Sequence, residues 1–239
     1  MYGYIDWRET GKGGFSLQRT GICGVCFWEL RVPKPGSLFF RQRLRRAVHT
    51  MHTNGVRRAV FPPDFPFAEV LAEEGITSLP EENLRRRLLE QLLERACGGK
   101  KISASSWAAA LYARGESRDV RDASRLLAEK CRYLQLHLAQ DSGALEKELR
   151  YTYGVCAAPV GQRPDIAVTF DSGPQELLPI PVIRLGEDCR EQPITYELPA
   201  ERLAWLGERA PTSQLVTALF EAGKLPLEEI HVKTLTFFA

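Results

Sequence analysis

The stretch RYLQLHLAQDSGALEKELRYTYGVCAAP, residues 132–159, decides the fold. It opens with alternating apolar and polar residues, the period-two pattern of a β-strand. A helix is predicted next, because Ser142 suits an N-cap and Gly154 follows Tyr153 as a stop signal. GVCAAP at 154–159 then predicts a second strand. A strand, a helix and a strand in this order indicate the repeating unit of a parallel sheet.

The same alternation extends over residues 56–171. Strand-like runs VRRAVFP, ITSLP, KISASS and DIAVTFD alternate with helical segments, and two of the helices are expected to start near Ser78 and Ser117. This order predicts an α/β fold with a mostly parallel sheet and helices on both faces. The layout is Rossmann-like in architecture only, because no G-x-G-x-x-G or GxxxxGK[ST] loop follows a predicted strand.

Three regions are predicted along the chain. Residues 1–55 are expected to form a β-hairpin, from FSLQRT and VCFWELRV, and then a basic helix over about Leu38–Thr53. Residues 56–171 form the Rossmann-like core. Residues 172–239 begin with a stretch rich in Pro and Gly, and are predicted to form a C-terminal α/β extension packed on the core.

Composition favours an ordinary soluble protein. The 239 residues are 44% hydrophobic, with a formal net charge of +2. No apolar run approaches the roughly 18 residues that a membrane helix needs. Asp6 and Glu9 interrupt the first ten residues, which argues against a signal peptide. We therefore expect a cytoplasmic location, no membrane partner and six cysteines that are free thiols.

Polar residues follow several of the predicted strands. Ligands bind beyond the carboxyl ends of the strands in open parallel sheets, so these residues predict a rim for a small polar ligand. The alternative is ordinary strand-end capping and turn formation, for which the same residue types are used. No cofactor is predicted. The candidate rim residues are Asp64, Ser105, Ser106, Asp141, Asp171, Ser172 and Gly173.

A basic stretch over Arg31–Arg58 contains eight Lys or Arg residues and no acid. Arg41 and Arg45 share one side of the predicted helix, which would suit nucleic acid or an acidic partner. The alternative is a solvated helix face paired with acids elsewhere, for example Glu73, Glu74, Glu81 or Glu82. A net charge near zero favours the second interpretation and argues against nucleic acid as the main partner.

Cysteine and histidine pairs raise a third hypothesis, a metal site. Cys23 and Cys26 have metal-ligand spacing, and His49 and His52 lie one turn apart on the predicted helix. The histidines are closer together than in zinc fingers, so a hairpin turn and surface histidines are the preferred interpretation. A strand, not a helix, follows Cys26, which argues against a thioredoxin-like site.

Catalysis has little support in the sequence. The chain has no G-x-S-x-G elbow, and His137 lies within a predicted strand, where a packing role is more common. The favoured function is a non-catalytic protein that binds a small polar ligand or a protein partner. The sequence indicates no oligomeric state.

Overall fold

Parallel strands and their connecting helices make up most of the chain, which confirms the predicted α/β fold class. The parallel strands divide between two sheets, and a third sheet of two strands is antiparallel, whereas the sequence predicted one central sheet. The chain forms two compact units, Met1–Pro80 with Leu198–Ile230, and Glu81–Glu197 with His231–Ala239. The computed structural model describes residues 1–7, 14–36, 39–62, 65–98, 107–139, 142–156, 162–171, 180–186, 192–207 and 209–237.

The first unit contains a five-stranded sheet of order β2-β3-β1-β4-β5. Strands β3, β1, β4 and β5 run parallel, and β2 pairs antiparallel with β3 to form the predicted hairpin. The turn is tight because Cys23 and Gly24 both adopt positive φ, at 48° and 75°. The strands are β1 (Tyr2–Trp7), β2 (Ser16–Ile22), β3 (Val25–Val32), β4 (Arg58–Val60) and β5 (Thr77–Ser78).

Helices cover both faces of this sheet. On one face, the apolar stripe of α1 (Phe40–Thr53) and α2 (Ala68–Glu73) packs on Ile5, Leu30 and Ala59. On the other face, α8 (Ser213–Glu221) runs from the carboxyl edge, where Gln214 accepts from the Phe61 N–H at 2.7 Å, to Tyr2 at the amino edge. The unit also contains α7 (Ala200–Leu206) and a 3-10 turn over Leu227–Glu229.

The second unit contains a four-stranded, fully parallel sheet of order β7-β6-β8-β9 and a two-stranded antiparallel sheet of β10 and β11. The predicted helix between Ser142 and Gly154 is confirmed, with Gly154 ending it at φ 68°, but the Ser142 side chain makes no capping hydrogen bond to the backbone. The elements are α3 (Glu82–Arg87), α4 (Leu89–Ala96), β6 (Ala108–Ala113), α5 (Arg118–Lys130), β7 (Tyr133–Leu138), α6 (Gly143–Tyr153), β8 (Ile166–Thr169), β9 (Val182–Arg184), β10 (Ile194–Glu197) and β11 (His231–Leu235).

One helix start was predicted wrongly. Ser78 lies in β5, and the helix begins at Glu82. Pro80 explains the difference, because the residue before a proline is biased towards extended backbone. The helix then breaks at Leu88 into α3 and α4.

A buried ion pair lies at the start of α3. The Arg85 side chain is 1% exposed, and its Nη2 donates to Glu81 Oε2 at 2.9 Å and to the Gln192 carbonyl oxygen at 2.8 Å. Arg85 Nε and Nη1 have no hydrogen-bond partner in the described part of the chain. Among the described residues, only Nη2 of the guanidinium is therefore hydrogen-bonded, and the two other buried nitrogens have no acceptor.

The two units divide the chain differently from the three predicted regions. β4 and β5, which the sequence placed in the central core, belong to the first sheet because β4 pairs in parallel with β1. The last strand, β11, pairs with β10 in the second unit. The predicted strand KISASS, residues 101–106, lies outside the described residues. No helix within the described ranges is long and apolar enough to cross a membrane.

Candidate ligand site at the carboxyl edge of the second sheet

The second sheet has the strand order of a Rossmann-type sheet. Along the chain β6 comes first, β7 lies beside it, and Cys156 pairs in parallel with Tyr133 at the outer edge of β7. The chain then returns to β8 on the other side of β6 and continues to β9. With the Cys156 bridge counted as the outermost position beside the four strands, the spatial order is third, second, first, fourth and fifth. The order reverses between β6 and β8, and such sheets bind ligands at the carboxyl ends of the strands at that point.

Asp171 joins the two strands at this point. The Arg114 backbone N–H, one residue beyond β6, donates to Asp171 Oδ2 at 2.5 Å. The Arg114 side chain is 84% exposed, and its Nε lies 3.8 Å from Asp171 Oδ1. The carboxylate thus fixes the ends of β6 and β8 together and places an exposed guanidinium beside them.

Helix α5 starts at the same edge. The predicted helix start near Ser117 is confirmed, and Ser117 caps it, since its Oγ accepts from the Val120 N–H at 3.2 Å. Only three residues separate β6 from this cap, and Gly115 is the one glycine among them. The loop is too short for the glycine-rich phosphate cradle, but the partial positive charge of the helix start still faces the edge.

Four polar side chains, which we name the polar row, lie at one level across the sheet. Strand register pairs Tyr112 of β6 with His137 of β7 and with Thr169 of β8, and pairs Thr169 with Arg184 of β9. Residues paired in register point to the same face of a sheet. The polar row therefore presents an imidazole, a phenol, a hydroxyl and a guanidinium side by side, near the carboxyl edge.

Two members of the polar row form an aromatic pair. The Tyr112 and His137 rings are stacked, with centroids 4.4 Å apart and planes 6° from parallel. Burial lowers the pKa of His137 and raises the pKa of Tyr112. Both side chains are therefore uncharged near pH 7, where each can donate and accept hydrogen bonds.

Thr169 is the unusual member of the polar row. Its side chain is only 5% exposed, yet its Oγ1 has no hydrogen-bond partner within the described ranges. An unpaired buried hydroxyl destabilises a fold, and such groups are rare in native proteins. This hydroxyl therefore has donor and acceptor capacity that no described residue uses.

Backbone packing fixes the neighbouring strand ends. A Cβ atom at Gly186 would lie 2.0 Å from the Phe170 carbonyl oxygen, so only glycine fits there. Arg86 crosses above the same strands, donating to the Leu185 carbonyl oxygen at 3.3 Å and to Asp119 of α5 at 2.7 Å. The ends of β8 and β9 and the start of α5 are thereby held as one scaffold.

The low pKa of His137 gives a testable pH dependence. Because the folded pKa lies below the unfolded value of about 6.5, the unfolded chain binds this proton first as pH falls. The contribution of His137 to stability should be complete above about pH 6.5 and decline below it. We expect the urea midpoint to fall between about pH 7.5 and about pH 5.5, and to fall less in His137→Gln. An unchanged pH dependence in His137→Gln would contradict this expectation.

Of the predicted rim residues, only Asp171 lies in the described part of the chain, at the reversal point. β6 begins at Ala108, after the predicted serines, so its carboxyl end carries Arg114. β4, which precedes Asp64 in the sequence, belongs to the first sheet. The polar row was not predicted, although the polar positions of RYLQLHL were a signal for it. The other rim residues stay predictions outside the described residues: Asp64, Ser105, Ser106, Asp141, Ser172 and Gly173.

The basic helix has acidic partners nearby. Arg45 forms an ion pair with Glu73 and lies 3.7 Å from Glu74, whose carboxylate also lies 3.1 Å from His49 Nδ1. Arg41 is exposed on the same helix. Arg45 therefore adopts the paired arrangement that was the alternative to partner binding, and partner binding by Arg41 and Arg45 stays a prediction.

The cysteine and histidine pairs lie on different elements. Cys23 is in the hairpin turn and Cys26 in β3, whereas His49 and His52 are on α1, with the His52 ring near Gly75. No group of three or more His, Cys, Asp or Glu side chains among the described residues could hold a metal ion. Burial raises the pKa of Cys23, which opposes thiolate formation despite nearby Arg202.

Comparisons with known proteins add little. No family model matches the chain, and no curated protein matches it. A solved structure with some similarity is the crystal structure of L-tryptophan dehydrogenase from Nostoc punctiforme, at 12% sequence identity and a TM-score of 0.35. The match covers 70% of this chain and 52% of that chain, so this chain spans about half its length. We transfer nothing of that protein's activity to this chain.

Proposed function

We propose that this protein binds a small polar ligand at the carboxyl edge of the second sheet. The observation that carries the proposal is the buried Thr169 Oγ1, which has no partner within the described ranges and lies in the polar row beside the β6–β8 reversal point. A ligand group that hydrogen-bonds this hydroxyl would remove the penalty of burying it unpaired. The unpaired hydroxyl, which is unfavourable in the free protein, would form a favourable hydrogen bond in the complex.

The chemistry of the edge favours a ligand with both donors and acceptors. Tyr112 and His137 can each donate and accept, and the Arg114 guanidinium offers exposed donors beside them. The start of α5 adds a preference for negative charge. A small metabolite with hydroxyl, amide or carboxylate groups matches this set.

The same geometry supports binding more than catalysis. His137 Nε2 lies 3.4 Å from Gln135 Oε1, an amide oxygen that can neither be activated nor attack a substrate. No Ser or Cys nucleophile contacts His137 in the described ranges. We therefore propose a non-catalytic role, as the sequence also favoured.

The test uses Thr169→Val, which keeps the side-chain shape and removes the hydroxyl. In the free protein we expect the free energy of unfolding to rise by about 1 kcal/mol, because an unpaired buried hydroxyl is lost. Thr217→Val is the matched control. Thr217 Oγ1 donates to the Ser213 carbonyl oxygen at 2.8 Å. Loss of this hydrogen bond should lower the free energy of unfolding by about 1 kcal/mol.

Binding is measured on the full chain by thermal shift and calorimetry, with AMP, ATP, serine and citrate as probes. At least one probe should raise the wild-type Tm and bind about fivefold more weakly to Thr169→Val, the effect of one neutral hydrogen bond. If no probe binds and Thr169→Val is no more stable than wild type, the proposal is wrong.

A further inference from the structure

We propose a second ligand site, for the oxyanion of a small molecule, at the carboxyl edge of the first sheet between Arg31 and Arg209. This site lies in the first unit and does not depend on the proposed function. It is formed by a set of charged side chains, the Glu29 cluster, on the sheet face that α8 covers. Its members are Asp6, Glu29, Arg31 and Arg209.

A buried carboxylate organises the cluster. Glu29 of β3 is 2% exposed, and its Oε2 accepts from Gln18 Nε2 at 3.0 Å. Its Oε1 accepts from Arg209 Nη2 at 3.3 Å and lies 3.7 Å from Arg31 Nε. One carboxylate oxygen therefore holds two guanidinium groups next to each other. A charge buried this deeply requires such partners to be stable.

The two arginines keep N–H donors for which the described residues supply no acceptor. A guanidinium has five N–H donors and no acceptor. Arg31 Nε makes no hydrogen bond within the described ranges, being 3.6 Å from Asp6 Oδ2, and the Arg31 side chain is 44% exposed. Arg209 uses one Nη on Glu29 and places its guanidinium over the Tyr4 ring, 5.4 Å from the centroid. Donors therefore exceed acceptors at a solvent-accessible edge.

Three features select an anion with acceptor oxygens. The Glu29 and Asp6 carboxylates balance the two guanidinium charges, but in the described ranges Arg31 Nε makes no hydrogen bond and Arg209 uses one Nη, so the arginines can still bind further acceptor oxygens. Arginine forks match the two oxygens of a carboxylate or a phosphate. The N-terminus of α8 reaches the same edge, where Gln214 bonds to Phe61, and adds partial positive charge.

The arrangement suits a preorganised binding site better than a purely structural ion pair. A purely structural ion pair would join Glu29 to a single arginine, and the side chain of that arginine would be largely buried. Here Glu29 is buried, whereas Arg31 extends from it towards solvent. Glu29 acts as a positioning residue that orients both guanidinium groups, and the guanidinium groups contact the ligand.

The experiment titrates the full chain with inorganic phosphate and, separately, with acetate, by calorimetry in a low-salt buffer. Wild type should bind at least one of these oxyanions, and the arm that responds distinguishes a phosphate from a carboxylate ligand. Arg31→Gln should bind at least about tenfold more weakly, because a charged donor is lost. Arg31→Lys keeps the charge without the fork, should also weaken binding, and decides the question if Arg31→Gln does not fold.

The matched control is Arg43→Gln, which removes an exposed arginine from α1 in the same unit. Its affinity for the oxyanion should equal that of wild type. The proposal is overturned if wild type binds neither oxyanion at millimolar concentrations, or if both Arg31 variants bind as wild type does. Loss of binding in Arg43→Gln alone would also overturn it, by placing the anion on the basic helix.

Discussion

Gly186→Ala is expected to lower the free energy of unfolding by about 3 kcal/mol or more, the upper range for overpacking a closely packed site. The new Cβ would lie 2.0 Å from the Phe170 carbonyl oxygen and 2.7 Å from its carbonyl carbon. Backbone atoms cannot rotate aside as a side chain can. Phe170 is itself held, because its N–H donates to the Tyr112 carbonyl oxygen at 2.9 Å. The ends of β8 and β9 must therefore separate.

Urea unfolding measures this effect, with Gly21→Ala as the matched control. Gly21 also lies in a strand, but nothing comes within 4 Å of a Cβ placed there. Its substitution should change stability by no more than about 0.5 kcal/mol. The displaced strand ends carry Thr169 and Asp171, so a probe whose binding Thr169→Val weakens should also bind Gly186→Ala more weakly. Equal stability of the two variants would show that the close approach does not constrain the fold.

Glu81→Ala is expected to cost about 3–5 kcal/mol, the range observed when one partner of a buried ion pair is removed. The substitution removes a carboxylate that Arg85 Nη2 contacts at 2.9 Å, and Arg85 is 1% exposed. Its remaining described partner, the Gln192 carbonyl oxygen, is neutral and cannot compensate the charge, and Nε and Nη1 have no partner among the described residues. A buried, uncompensated positive charge is the result.

Two comparisons make this prediction specific. The double variant Glu81→Leu/Arg85→Met should recover most of the loss, because an apolar pair replaces two buried charges. Glu90→Ala removes a surface ion pair with Lys130 and should cost less than about 1 kcal/mol. Chemical denaturation measures the free energy of unfolding of all three variants. A loss in Glu81→Ala no larger than in Glu90→Ala would contradict the prediction.

The parts of the fold that the sequence predicted are those set by local chemistry. The helix predicted to start near Ser117 does so, and Ser117 accepts a hydrogen bond from the residue three positions on, as N-caps do. Gly154 ends α6 in the left-handed conformation that only glycine adopts without strain. These signals depend on a few neighbouring residues, so they can be recognised without knowledge of the tertiary structure.

Strands β6 and β1 were not predicted, and in β6 the residue composition favours a helix. AAALYA forms β6, the centre of the second sheet, although alanine favours helices and is depleted in strands. Its alanines are buried on both faces, and that burial overrides the intrinsic preference. β1 was also missed, and with it the pairing that places β4 in the first sheet. One unassigned strand therefore changed the predicted number of sheets.

Both candidate sites depend on register and long-range contact. The members of the polar row come from four strands and become neighbours only once the strand pairing is known. Glu29 and Arg209 are 180 positions apart in the chain and nevertheless form an ion pair. Spacing in the sequence carries no information about either arrangement, whereas the carboxyl-edge rule did indicate where a site should lie.

The division of the chain between the two units has a consequence for its synthesis. The five strands of the first sheet lie within the first 80 residues, but α8, which covers one sheet face, comes from residues 198–230. A nascent chain therefore presents that face, with Phe27 and Val25, uncovered until most of the protein has left the ribosome. No single cleavage releases either unit intact. Chaperone binding during translation should accordingly be strongest before α8 emerges.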